Sequence, residues 1–318
     1  MLRDRSLFSV SYVSRGVLEK RARQEHFCCF MVLFFLAHCL PPIKAQSDSA
    51  VQPPKKAEDL FDRVIANQKR TEEALDIYEH VERVETRKTG SDSSPAEIKV
   101  WRVFPAGPAK DKIPLTAEGN AVSPTSYRAA LENLEKYLIW TTQQGEAQKE
   151  AYAKAEHKRK ERFELIAATH EAFIFTRVGE EKRGERSLTK YSMVPNPKYK
   201  PTSRNAMLFT KVRGLLWVDE ESGELARVEG VVTADITLGL FLAKIYKGSS
   251  FMQERYEMEP GVWFPTFERY DFDGRKFLMP FSIHERTFYT KFRRVGPPKE
   301  SLELVRAELS KQGMDKDD

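Results

Sequence analysis

GLLWVD (214–219), EESG (220–223) and ELARVEGVVTADI (224–236) follow one another in the chain and decide its fold. The central four residues are turn chemistry ending in glycine, and the flanks alternate, so the stretch predicts a β-hairpin. In the second arm Ala226, Val228, Gly230, Val232, Ala234 and Ile236 share one face, while Arg227, Glu229, Thr233 and Asp235 take the other. One face is dry and one is wet.

Downstream the pattern recurs. Residues 250–258 turn through Glu259-Pro260-Gly261 into 262–272, and Asp273-Gly274 predicts a third reversal into 276–292. Sequential hairpins predict an antiparallel meander, and Pro265 and Pro280, which lack a ladder donor, predict a bulge, an edge or a sharp bend. Leu238, Phe241, Leu242 and Ile245 switch the apolar period to i, i+3, i+4, i+7, which predicts a helical turn between strands. Upstream, 203–210 predicts a short apolar helix that Ser203 can cap, and Phe173-Ile174-Phe175 opens a strand that returns through GEEKRG (179–184) into 187–194.

Residues 127–165 read as one long, charged, solvated helix in which Leu131, Leu134 and Leu138 keep helical spacing and Gly145 is the point of kink or division. Glu150 with Lys154 and Glu156 with Lys160 are i,i+4 pairs in the favourable order. Before them come strands at 77–88 and 97–104 and an amphipathic helix at 58–75 that buries Leu60, Phe61, Val64 and Ile65.

Residues 1–26 are basic, and FCCFMVLFFLAHCL (27–40) is apolar apart from His38. Fourteen residues at about 1.5 Å each cannot cross a hydrocarbon core of roughly 30 Å, so the segment reads as a secretory signal peptide that exports the chain to the periplasm, with a membrane anchor formed by the uncleaved segment as the alternative. The resulting organisation is a signal peptide (1–45), a linker (46–56), a single domain (57–296) with an inserted helix (127–165), and a charged tail (297–318) in which one short helix is expected. Cys28, Cys29 and Cys39 all lie in the signal, so the expected mature chain has neither disulfide nor thiol chemistry.

Charge excludes another class. Residues 1–45 hold seven basic and three acidic residues; 46–318 hold 45 basic and 44 acidic, a net +1 without the concentrated basic face of a nucleic-acid binder. The chain lacks GxxxxGK[ST], GxGxxG and GxSxG motifs. His170-Glu171 and His284-Glu285 each begin like a zincin motif, but Ile174 and Phe288 stand where the second histidine belongs, and both fragments are expected at or in strands. Asp271-Phe272-Asp273-Gly274 reads as a hairpin turn in preference to a calcium loop.

The hairpin 214–229, followed by Val262-Trp263-Phe264-Pro265, resembles the periplasmic lipoprotein-carrier superfamily (LolA/LolB-like). So does the order of parts: a signal, one amphipathic helix, a strand pair, then a long meander with short inserted helices. The match covers 213–293, with looser correspondence over 58–104; the charged helix and the tail depart from it. The resemblance implies an α+β fold, a strongly curved antiparallel sheet forming an incomplete barrel, and a non-catalytic periplasmic binder or carrier of lipid or lipoprotein acyl chains. An envelope sensor or protein-interaction module on the same scaffold is the alternative, with an envelope protein as partner. Neither reading calls for a cofactor, a metal or a nucleic acid, and a monomer is expected. Alternation nominates Trp217, Val228, Val232, Phe264 and Tyr270 as lining residues, and position nominates 203–210 and 238–245, with Phe241 and Leu242, as lids.

Overall fold

The computed structural model describes residues 55–314 apart from 118, 204, 239–242 and 278. Helix α1 (Lys55–Ala74) leads into strands β1 (Tyr78–Arg87), β2 (Ala96–Pro105) and β3 (Lys110–Pro114), and a two-residue pair, β4 (Thr116–Ala117) and β5 (Asn120–Ala121), closes this segment. Helices α2 (Pro124–Thr141) and α3 (Glu146–Ala172) follow. Next come β6 (Phe173–Arg183), β7 (Arg186–Pro195), a 3-10 helix (Ala206–Lys211), β8 (Val212–Asp219) and β9 (Glu224–Val232). The chain continues through β10 (Ile236–Leu238), β11 (Ala243–Ile245), β12 (Ser250–Glu259), β13 (Val262–Lys276), β14 (Met279–Arg294) and α4 (Pro298–Met314).

One antiparallel sheet runs in the order β3-β2-β1-β14-β13-β12-β9-β8-β7-β6, with β10 and β11 paired beside β13. The outer strands β3 and β6 do not meet, so the sheet is not closed into a barrel. The architecture is α+β, as the alternation and the hairpins imply. Gly214 and Gly230 sit opposite one another at the middle of it. A Cβ on Gly230 would lie 2.3 Å from the Phe251 ring, so this pair permits a close approach that no other residue allows.

Helix α1 crosses the sheet with Leu60, Phe61 and Val64 facing inward, against Leu165 of α3 and buried residues of β7, β8 and β9. Its polar side is tied down. Asn67 Nδ2 donates to the carbonyls of Ser222 (3.0 Å) and Gly223 (2.9 Å), Arg63 Nη2 to that of Glu220 (2.9 Å), and Thr71 Oγ1 to that of Trp263 (3.1 Å). The other flank, and Asp76 just beyond its end, pair with α3 in antiparallel order, through Asp62 with His170, Glu72 with Arg162, and Asp76 with Arg159.

Several expectations are corrected. The single helix over 127–165 is two helices, divided at Gly145, the N-cap of α3. Lys154 does face Glu150 (3.9 Å), but Glu156 faces Arg159 (3.3 Å). Helix α2 is not a solvated arm, because Leu131, Leu134 and Leu138 are fully buried against Phe104, Ile113 and, from α4, Leu302, Val305 and Leu309. These residues make a second core at the β3 edge. The expected helical turn over 238–245 is instead the β10–β11 pair, in which Leu238 opposes Ala243; its centre, with Phe241 and Leu242, lies outside the described residues.

The third reversal is also displaced. Asp273 and Gly274 stay inside β13, paired with Ser282 and Phe281, and the chain turns three residues later, between Lys276 and Met279. The cause is β11, which docks Ile245 opposite Gly274 so closely that a Cβ there would lie 2.2 Å from the Lys244 carbonyl oxygen. Tertiary packing uses the glycine for close approach, and the turn goes elsewhere. Pro265 does mark a bulge, where the β12–β13 register shifts between Glu254 and Arg255.

Candidate binding site

The concave surface under α1 has two halves. The apolar half is aromatic: Phe61 stacks on Phe175 at 4.2 Å and meets Tyr191 edge-on at 5.3 Å, while Phe173 meets Phe209 of the 3-10 helix at 5.5 Å. Ala206, Leu208 and Phe209 are buried over this half, with the backbone N–H of Ala206 donating to Ser203 Oγ (3.1 Å). The 3-10 helix, which falls in the segment 203–210 nominated as a lid, packs against this apolar half.

The other half is polar and equally dry. Glu268 accepts from Tyr289 (2.8 Å) and Tyr270 (3.2 Å) on one oxygen and from Gln253 (2.6 Å) on the other. Arg255 donates to Gln253 Oε1 (3.1 Å) and to the Trp263 carbonyl (3.3 Å), and its burial pulls the guanidinium pKa down against the pull of Glu72, Glu224 and Glu268. Burial raises the carboxyl pKa of Glu224, whose Oε1 takes a hydrogen bond from Arg70 (2.8 Å). Charges this deep fix geometry and add little net stability.

The nominated lining residues do not gather at one place. Val228 and Val232 join the apolar half, and Tyr270 stands beside it through Phe251. Trp217 is on the opposite face, because it pairs with Arg227, the strand neighbour of Val228. There it lies between Lys190 and Arg227, each 4.8 Å from its ring, and donates Nε1–H to Glu181 (2.7 Å). Phe264 packs under the end of α1, against Leu75, Tyr78 and Phe292. Phe241 and Leu242 lie outside the described residues. Alternation failed for Ala226, the extra residue of a bulge at which β8 and β9 slip register, so it joins Trp217 on the outer face.

A separate cleft of about 310 Å³ opens between the β1–β14 seam and helices α2 and α4. Arg102 lies at its centre, donating to Glu79 (2.7 Å), Tyr127 (2.6 Å) and Glu308 (2.9 Å). Nearby, His80 is buried and its pKa is lowered by that burial. Burial opposes ionisation of Glu82, but the His80 hydrogen bond and Lys112 outweigh it and bring its pKa down to about 2. Sequence reading missed this network because alternating polar residues on a strand predict solvent. His170 lies in α3, not in a strand, and contacts Asp62. Among the described residues no group of three or more His, Cys, Asp or Glu could hold a metal, and no helix is long and apolar enough to cross a membrane.

This is an α+β protein whose open antiparallel sheet carries helices over its concave face. Solved structures of the LolA superfamily and of outer membrane lipoprotein-sorting domains are similar to it. A lipoprotein-sorting protein domain from Vibrio parahaemolyticus is 9% identical, with 74% of this chain and 93% of that one covered and a TM-score of 0.30. A LolA superfamily protein from Nitrosomonas europaea is 8% identical, covering 77% and 96% with a TM-score of 0.29. A DUF1329 family protein from Desulfovibrio piger is 10% identical, covering 76% and 94% with a TM-score of 0.30. No protein-family model matches the chain, and no curated protein matches it.

Proposed function

We propose that the protein is a non-catalytic, exported periplasmic binder that takes an apolar chain, such as a lipid or lipoprotein acyl group, against the apolar half of its concave surface. The observation that carries this reading is the layered arrangement there: an aromatic-rich face of an unclosed sheet, covered by α1 and a single 3-10 helix. Such a cover can be displaced without breaking strand pairing, and an acyl chain entering beneath it gains about 25 cal/mol per Å² removed from water. The polar half, hydrogen-bonded around Glu268, would set the depth the chain reaches.

Native mass spectrometry with lipid extraction, on protein exported to a bacterial periplasm and purified without detergent, tests the reading. A bound lipid of discrete mass supports it. A clean apo mass that takes up no added lysophospholipid overturns it.

The second reading, docking of an envelope protein, is favoured by β6. It is the last strand of the sheet, and Ile174 and Val178 on it are exposed. A partner adding a strand there would be recognised by its main chain. Loss of partner capture on Thr176→Pro, with lipid content unchanged, would favour this reading.

A further inference from the structure

A bulge in the β1–β14 seam decides what lines the cleft beside α2 and α4. Glu79 pairs with Arg293 and Val81 with Thr290, so His80 alone faces two residues, Lys291 and Phe292. Thr290 and Arg293, three apart on β14, thereby share the face of Glu79 and Val81, and the inserted Lys291 lines the cleft beside Arg293. Phe292 takes the other face, where it stacks on His80 at 5.3 Å. Lys291 holds φ at +55°, the left-handed region that a bulge of this kind gives to glycine. Its side chain is exposed, so no packing offsets the strain. A strained lysine at the mouth of a cleft is the kind of outlier that marks a working site.

Donors and acceptors in the cleft do not balance. Every carboxylate oxygen already accepts a hydrogen bond: Glu79 takes Arg102 Nε (2.7 Å) on one oxygen and Arg293 Nε (2.5 Å) on the other, and both oxygens of Glu308 take Arg102 Nη1 (3.0 and 2.9 Å). The Tyr127 hydroxyl accepts from Arg102 and donates to Glu308. The cations keep N–H groups in hand. Arg102 Nη2 and the two Nη groups of Arg293 donate to no described residue, and Lys291 has no hydrogen-bond or ion-pair partner among the described residues. Three cations (Arg102, Lys291, Arg293) stand against two carboxylates (Glu79, Glu308), so the cleft lacks one negative charge and an acceptor for several donors. Guanidinium forks suit a carboxylate or a phosphate, and Val81 and Leu115 supply an apolar wall beside them. At about 310 Å³ the cleft has the size of a small-molecule site.

We infer that this cleft binds a small organic oxyanion, a carboxylate or phosphate monoester with a short apolar body, its charged end against Lys291, Arg293 and Arg102 and its body along Val81 and Leu115. The inference does not rest on the acyl-chain reading, because the cleft and the aromatic half lie on opposite faces of the sheet.

The experiment is calorimetric titration of the full chain with hexyl phosphate. The parent should bind it one to one, more weakly as salt is added, and should not bind hexan-1-ol. Glycine suits the backbone at 291, so Lys291→Gly should hold or raise the melting temperature while affinity falls about fivefold or more. Arg213→Gln removes an exposed positive charge on β8, far across the sheet, and should leave affinity unchanged. No binding by the parent, equal binding by parent and Lys291→Gly, or an equal loss on Arg213→Gln overturns the inference. So does equal affinity for hexan-1-ol, which is the result expected if the probe enters the aromatic half instead. Phosphatidylglycerol vesicles then separate the two sources of the oxyanion. Competition with hexyl phosphate assigns it to a lipid headgroup, lack of competition assigns it to a free ligand, and both outcomes uphold the cleft.

Discussion

At one end of the meander the β8–β9 turn places Gly223 at φ +71° and is held by α1 through Arg63 and Asn67. At the opposite end the β13–β14 turn places Phe277 at φ +56°, and its side chain stands in solvent. Both reverse an antiparallel pair through a left-handed residue. The first uses a residue that adopts the conformation at no steric cost and then covers it with a helix. The second uses a residue that resists it and leaves it bare. The strapped end gains packing and hydrogen bonds for its left-handed residue, and the bare end carries the same conformation with little packing in return.

Substitutions can break or sharpen that contrast. The largest effect is expected from Val232→Asp, deep in the apolar half: a loss of about 3 kcal/mol or more in chemical denaturation, against about 1 kcal/mol or less for Thr233→Asp. Equal losses would sink the assignment of faces on β9. Gly223→Phe should cost about 2 kcal/mol, since it forces an aromatic into the left-handed region with the Arg63 Cβ only 3.0 Å from the new Cβ. Phe277→Asn should do the reverse and stabilise by about 1 kcal/mol. If both substitutions destabilise equally, the two turns are not the opposites described.

Acid probes a region belonging to neither end. The Glu82 carboxyl has a folded pKa of about 2 against an ordinary 4.5. Its contribution is therefore complete above about pH 4.5 and is lost as pH falls from there toward 2. The parent should lose stability over that window more steeply than Glu82→Gln, measured by urea midpoints. Parallel curves would show that Glu82 does not carry the acid response.

The sheet was legible wherever alternation and turn chemistry agreed. Glu220-Glu221-Ser222-Gly223 and Glu259-Pro260-Gly261 turn where the sequence placed them, with Gly223 and Gly261 both at positive φ. Legibility failed where a residue serves a distant neighbour. Gly274 looks like a turn glycine but is reserved for β11, and Ala226 keeps the apolar phase of its strand yet lands on the outer face through a bulge. The leucines of α2 look like the inner stripe of a surface helix, but they are half of a core whose other half, on α4, comes some 170 residues later. At the site, Val228 and Val232 could be read from period two alone. Arg255 and Glu268 could not, because no local pattern says that a charged side chain on a strand will be buried with its partners.

The seam between β1 and β14 bears on how the chain acquires its structure in time. Tyr78 pairs with Arg294 and Arg87 with His284, so the first strand of the sheet waits for the last one to arrive. Until then β1 has only β2 for company, and Glu79 lacks Arg293. Contacts this remote in sequence make folding slow and late. The interlock that completes the sheet cannot form while the C-terminal strand is still being synthesised, so β1 stays open on one side until the end of the chain is made.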